Sequence, residues 1–492
     1  MSLLSDATEN FRIPVSYARK FGLLFDHENG SQVAFIADRT TTDTIVECQR
    51  IAGPNITIIK LSNDEFSQRT NFFYESTTSD AKEVVEQIES ESDDPIESVV
   101  QMTQDLLTES EDSAPVVRLI NAIMIDAIKQ RASDIHIETY GSYFCVRYRI
   151  DGLLHDAAQP NKTLANALIS RVKVMANMDI AEKRAPQDGA VSVVLAHREV
   201  DVRVSTLPTR HGERVVMRLL NKQTDEINLD TIGLSSIQYD QISALLTKPQ
   251  GLVLVTGPTG SGKSTTLYAG LKQLDITGKN VLTVEDPIEY ELPGIGQTQI
   301  NSKAGVTFSG TLKAMLRQDP DIVMVGEVRD EETAKTAVQA SLTGHLVLST
   351  LHTNNAIGAI IRLIDMGVES YLLAATLHGI VGQRLVRVLC PKCRTLRKTT
   401  QQEKKLLGAN CMLLYNPGSC AHCLYKGFIG RTGIYEVLTL NTDLRSLIQA
   451  GAPERELAEY LNSSGQTMAQ NGYAKAVQGI TTLDEVLRVA TV

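Results

Sequence analysis

No stretch of this 492-residue chain reaches the roughly 18 apolar residues that a membrane-spanning helix needs. The longest candidate, Tyr371 to Gln383, is too short and is interrupted by His378 and Gly379. The start, Met1-Ser-Leu-Leu-Ser-Asp6, lacks the basic residues and apolar core of a signal peptide. The expectation is a cytoplasmic protein whose membrane role, if any, runs through partners. Excess positive charge is missing too. The net charge is −10, but the segment Asp80–Asp112 holds 12 acidic residues and one lysine, or −11, which leaves +1 for the rest. Global charge therefore argues neither for nor against nucleic acid. A basic, aromatic-bearing loop that would track a single strand is absent, which weighs against a nucleic-acid motor. No internal repeat is found, and no low-complexity tract beyond the acidic segment. The seven cysteines do not form a disulfide framework. Four make two close pairs, while Cys48, Cys145 and Cys411 stand apart, a usage that suits a reducing compartment.

What is present centres on Gly257-Pro258-Thr259-Gly260-Ser261-Gly262-Lys263-Ser264, which fits the phosphate-loop pattern at every fixed position. The apolar run Gly251–Thr256 before it reads as a buried strand. Thr265 to Leu274 after it reads as a helix with Leu267, Leu271 and Leu274 on one face. Strand, glycine loop and helix hold triphosphate because backbone N–H groups close on its oxygens and the helix N-terminus adds positive partial charge. Lys263 is expected to reach the β- and γ-phosphates and Ser264 to ligate Mg²⁺, with Thr265 completing the cradle. A glycine-rich turn without ligand is the alternative, and the flanking strand and helix argue against it.

Length allows about three domains. Residues 1–79 read as a small α/β module: a helix starting at Pro14, and strands at Gln32–Ala37 and Ile56–Leu61. Residues 80–113 read as an acidic linker. Residues 114–228 mix helical spacing (Val116, Leu119, Ile120, Ile123, Ala127, Ile128) with alternating runs at Ser133–Glu138, Phe144–Ile150, Glu199–Ser205 and Glu213–Leu220. Asp151-Gly152 predicts a hairpin turn, and a helix is expected over Leu164–Ala176. His136, within an alternating run, is read as a structural hydrogen-bonding residue. From 229 to 492 strands alternate with helices such as Thr333–Leu342, which predicts a parallel sheet with its ligand at the strand C-termini.

Hydrolysis needs a carboxylate near the metal and the attacking water. Apolar runs end at Glu285-Asp286 and at Gly326-Glu327. Glu327 is the candidate for polarising water or holding the magnesium shell, with Glu285 beside it. His345 and His352 flank the next strand; either could contact γ-phosphate or be structural. Cys390-Pro-Lys-Cys393 and Cys420-Ala-His-Cys423, with 26 residues between them, supply the four thiolates of a structural zinc site. Two redox dithiols are the alternative, and Cys411 and His422 are spare ligand candidates.

The motif set has a resemblance. Thr283–Tyr290 is similar to the Asp box of secretion ATPases, Arg317–Asp330 to their atypical Walker B, and Thr343–Asn354 to their His box. Together with the phosphate loop these identify a member of the hexameric secretion and pilus ATPase superfamily, over residues from about 114 onward. Ser133–Glu138, Ala185–Gly189 and the N-terminal stretch Ile13–Gly22 resemble the type II secretion branch most. The resemblance implies an α/β fold: a RecA-like ATPase domain with a parallel-rich sheet, a PAS-like α+β second domain and a small N-terminal module. It also implies ATP, Mg²⁺ and Zn²⁺, with a zinc subdomain over about 388–425. It implies a homohexamer, docking of residues 1–79 on inner-membrane secretion protein L, contact with platform protein F, and association with anionic lipid on the cytoplasmic side. Arg203 and Arg218 match arginines that in this family point into the nucleotide site. Pilus assembly, a ring helicase and a switch-like nucleotide-binding adaptor remain as other readings.

Overall fold

The computed structural model describes residues 21–28, 31–52, 56–63, 115–141, 143–195, 198–221, 227–408, 411–463 and 467–490, with positions 18, 65, 66, 69 and 81. The acidic segment, apart from Ala81, and most of the stretch Ile13–Gly22 lie outside the described residues, as does the helix expected from Pro14. The chain divides into two compact units, Met1–Lys222 and Gln223–Val492.

In the first unit, β1 (Leu23–Glu28) pairs antiparallel with β2 (Ser31–Ala37), and β3 (Thr57–Leu61) lies parallel to β2. A parallel neighbour requires a crossover, supplied here by the helix Thr42–Ala52. Side chains alternate across the strands, so Leu23, Phe25, Ala34 and Ile36 pack with Cys48 of that helix. Leu24, Val33 and Phe35 pack with Phe66 on the other face. Cys48, without a role in sequence, is thus a small core residue.

The rest of this unit is a six-stranded, wholly antiparallel sheet. Its strands are β4 (Ala132–Thr139), β5 (Phe144–Ile150), β6 (Leu153–Ala158), β7 (Gln187–Leu195), β8 (Arg198–Thr209) and β9 (Gly212–Asn221), in the order β6-β5-β4-β9-β8-β7. Asp151 (φ 48°) and Gly152 (φ 88°) make the two-residue hairpin turn that their identities predict. Helices Pro115–Lys129 and Thr163–Met175 cover one face, where Leu119, Ile120 and Ile123 meet Ile135, Ile137, Val146, Val202, Val215 and Met217. The alternate residues of the strands turn charged side chains to the opposite face: Asp134, His136 and Glu138 of β4, Arg147 and Arg149 of β5, and Arg214 and Arg218 of β9.

The second unit is built on a seven-stranded sheet in the order β12-β11-β13-β14-β10-β15-β18. Its members are β10 (Gly251–Thr256), β11 (Val281–Glu285), β12 (Gly296–Gln299), β13 (Ile322–Val325), β14 (Leu346–Leu351), β15 (Leu377–Leu389) and β18 (Phe428–Thr439). All neighbours are parallel except β15 and β18. Strands β10, β13 and β14 are buried throughout, as central strands covered on both faces must be. Helices Ser236–Leu246 and Lys263–Gln273 contribute to the core on one face. Helices Phe308–Met315, Glu331–Leu342 and Ala356–Asp365 fill the other. The apolar stretch Tyr371–Gln383 resolves into the end of helix Ser370–Thr376 and the start of β15. Between β15 and β18 a lobe carries the short pair β16 (Thr395–Lys398) and β17 (Leu413–Asn416).

Candidate nucleotide site and cysteine centre

The phosphate loop leaves β10 at Gly257 and enters its helix through Gly262, which caps it in the left-handed region at φ 87°. Two contacts explain why glycine stands there. A Cβ at Gly257 would lie 2.4 Å from the Gln383 carbonyl oxygen, and one at Gly262 would lie 2.8 Å from Gln383 Nε2. Gln383, buried in β15, also accepts a 2.7 Å bond from Thr266 Oγ1, so the residue that crowds the loop also holds its helix. Lys263 arches back over the loop, its Nζ donating to the carbonyls of Gly257 (2.9 Å) and Pro258 (3.1 Å). Burial pushes its pKa down to about 8, with Glu327 acting in the opposite sense. Ser264 is exposed and Thr265 half-buried at the helix start, while Pro258, Thr259 and Gly260 form the outer rim and Ser261 is buried beneath it.

Parallel strands deliver their C-termini to one end of the sheet. Glu327 follows β13 and His352 follows β14, and their side chains meet, His352 Nε2 standing 3.1 Å from Glu327 Oε2. Glu327 also pairs with Arg329, whose Nη1 stands 3.7 Å from Asp286 Oδ2. The end of β10 is tied to the same place, since the Thr256 and Thr353 hydroxyls lie 2.6 Å apart. The structure therefore brings Glu327 and His352 together, at the end of the sheet that carries the phosphate loop.

His345 lies apart from this group. It precedes β14, at the end of the sheet where strands begin, and its carbonyl accepts from Gly251 N–H at the start of β10. The six-residue strand separates it from His352 by about 20 Å of chain. Its Nδ1 lies 2.9 Å from the Ala340 carbonyl, which makes it a helix C-terminal contact rather than a phosphate ligand. Glu285 differs from expectation in direction. Its backbone lies beside Gly326, but strand alternation turns its side chain onto the sheet face. There it is buried and accepts from Thr283 Oγ1 (2.5 Å), Gln297 Nε2 (3.1 Å) and Tyr268 Oη.

In the other unit, Arg203 and Arg218 face each other in register on β8 and β9. Arg218, exposed, donates through Nε to Asp134 Oδ1 at 2.9 Å. His136 is buried beneath this charged face, 3.5 Å from Arg214 Nη2, and burial followed by the charge of Arg149 lowers its pKa. The structural reading of His136 agrees with that setting.

The four paired cysteines converge. All four sulfurs lie within 4.8 Å of one another, with Cys390–Cys420 at 3.8 Å and Cys393–Cys423 and Cys420–Cys423 at 3.7 Å. Four sulfurs at about 2.3 Å from a tetrahedral zinc would stand about 3.8 Å apart, so the set fits that ion. Gly427 N–H donates to Cys423 Sγ at 3.2 Å, a bond that favours thiolate. The spare candidates stay out: Cys411 Sγ contacts the Leu413 carbonyl, and His422 is not in the group. Sequence reasoning missed Tyr268, Gln383 and Arg329. Arg329 lay inside the Walker B run, but nothing in spacing marks the other two.

Known proteins resemble this chain in sequence and fold. The family described as Type II/IV secretion system protein matches residues 109–488, and the family of the N-terminal domain of GSPII protein E matches residues 12–74. The chain is 47% identical over 485 residues to the type II secretion system ATPase E of Vibrio cholerae serotype O1, covering 97% of this chain and 96% of that one. It is 48% identical over 482 residues to type II secretion system protein E of Pseudomonas aeruginosa, with 97% and 96% covered. Among solved structures, the pilus retraction motor PilT with bound ADP aligns at 27% identity and a TM-score of 0.50, covering 75% of this chain and 96% of that one. The Legionella pneumophila ATPase DotB, at 21% identity, a TM-score of 0.56 and coverage of 76% and 95%, shares the fold.

Proposed function

This chain belongs to the type II/IV secretion system protein family, in its type II secretion ATPase branch, and we propose that it powers type II secretion by driving pseudopilus assembly. The observation that carries the catalytic part is the gathering of Lys263, Glu327 and His352 at the strand ends around the phosphate loop. ATP supplies the scissile phosphoanhydride and Mg²⁺ the counter-charge. Loop N–H groups from Gly257 to Thr265 would hold the phosphates, Lys263 would exchange its carbonyl partners for phosphate oxygens, and the Ser264 hydroxyl would ligate the metal. Glu327 orients and polarises the attacking water, with His352 fixing one carboxylate oxygen. Arg203 and Arg218 are proposed to bring positive charge to the γ-phosphate from the second domain. Cys390, Cys393, Cys420 and Cys423 would hold zinc as a structural ion.

The chain works in this proposal as a homohexamer on the cytoplasmic side of the inner membrane. Residues 1–79 would dock on secretion protein L, with further contacts to platform protein F and anionic lipid. Among the described residues no helix is long and apolar enough to cross a membrane, so attachment falls to these contacts. The test has two arms. Glu327→Gln should keep ATP binding and drop turnover to background. Wild-type turnover should rise with the protein L cytoplasmic domain and anionic vesicles, and not with single-stranded DNA. Active Glu327→Gln refutes the site, and stimulation by DNA alone refutes the secretion role.

A further inference from the structure

Glu285 is a buried carboxylate with no cationic partner among the described residues, its oxygens held by two hydroxyls and one amide. Burying such a group costs stability that an apolar residue would not, unless its hydrogen bonds serve something else. Here that something is what the hydroxyl of Tyr268 connects. Tyr268 is fully buried on the helix that begins at Lys263, five residues or about 7.5 Å along its axis. Its Oη donates to Glu285 and stands 3.4 Å from Glu289 N, and its ring packs edge-on against Tyr290 at 4.4 Å. The residue after Glu285 is Asp286, which faces Arg329, and Arg329 pairs with Glu327.

We propose that Tyr268 is a positioning residue for hydrolysis: through Glu285 it ties the phosphate-loop helix to the Asp286–Arg329–Glu327 chain. A displacement of the helix that carries Lys263 is then passed to the carboxylate that orients water. The inference rests on the reading of Glu327 as that carboxylate. Glu285 in this arrangement touches no reacting atom, and its expected place beside Glu327 becomes a place behind it.

Tyr268→Phe deletes the one atom that makes the tie. In the full-length protein, KM for ATP should stay within about twofold while kcat falls. Removing a hydrogen bond to a charged group predicts a loss of about tenfold to a hundredfold. Tyr290→Phe is the control for packing. The Tyr290 hydroxyl is buried without a hydrogen-bond partner among the described residues, so its loss should leave kcat in place. Wild-type kcat in Tyr268→Phe overturns the proposal, as does an equal loss of kcat in both variants. If Tyr268→Phe fails to fold, Glu285→Gln reads the same link. A fall in kcat at unchanged KM supports it, and full turnover overturns it. Glu327→Gln, run alongside, separates the two readings: if it is active the site itself is wrong, and if it is dead while Tyr268→Phe is normal only the tie is wrong.

Discussion

Lys263 shows at the scale of one residue what the fold does to a charge. Its ammonium is buried on two carbonyls, and burial lowers its pKa to about 8 from an ordinary 10.5. The sign follows directly. The folded protein disfavours the charged form, so its stability rises with pH from about 8 to 10.5, where the unfolded chain still holds the proton and the folded one has released it. A triphosphate favours the charged form, so binding near pH 8 should take up a proton and affinity should fall as pH rises further. Calorimetric titration of the nucleotide in two buffers of different ionisation enthalpy measures that uptake. No difference in proton count between pH 7 and 8.5 would show that the lysine stays charged throughout. Motif spacing made Lys263, Glu327 and His352 legible, because the end of an apolar strand is visible in sequence. His345, which flanks the same strand in sequence, left both a phosphate contact and a structural role open, and the strand's length carries it to the opposite end of the sheet.

Among the elements, those with a clear period were read closely. The hairpin at Asp151-Gly152, the strands β8 and β9 and the helix over residues 163–175 match their alternation or helical spacing. Strand β15 was hidden inside an apolar stretch in which a helix passes into a strand at Thr376–Leu377 without a turn residue to mark it. Glu285 sits on the last strand position, where a one-residue difference decides between the sheet face and the site. The cysteine lobe was legible as a ligand set, and its geometry closes on four sulfurs. Its β-pair and the short helices Gln401–Leu407 and Ala421–Cys423 are too small to be stable alone, so a bound metal should carry the local fold. About one zinc per chain is expected by elemental analysis. Cys390→Ser should lose it and open the lobe to proteolysis between residues 390 and 426, while ATP binding persists. Full zinc content in that variant would reassign the ligands.

The whole molecule holds what no local pattern encodes: the order β12-β11-β13-β14-β10-β15-β18, in which β10 lies between β14 and β15 and not beside β11, the next strand in sequence. The order sets β10, β13 and β14 side by side, and so puts the phosphate loop, Glu327 and His352 at one end. The arginines belong to the other compact unit. An exposed arginine on a strand is ordinarily a solvated residue of modest worth. Arg218 is instead oriented by Asp134, to which its Nε donates, and the rest of its fork has no other partner among the described residues. In a ring, such an arginine can complete a neighbour's site, and fingers of this kind accelerate phosphoryl transfer by roughly 10³ to 10⁵ where they operate. We predict that Arg218 acts across the ring. Lys263→Ala and Arg218→Ala should each be inactive, because each would spoil every site of the proposed hexamer. Mixed under subunit exchange, an intact phosphate loop from one variant can meet an intact arginine from the other, and turnover should rise above that of either alone. A fluorescence-transfer signal proves that subunits have exchanged. A mixture that exchanges and stays inactive would place Arg218 on its own chain's nucleotide, or on none.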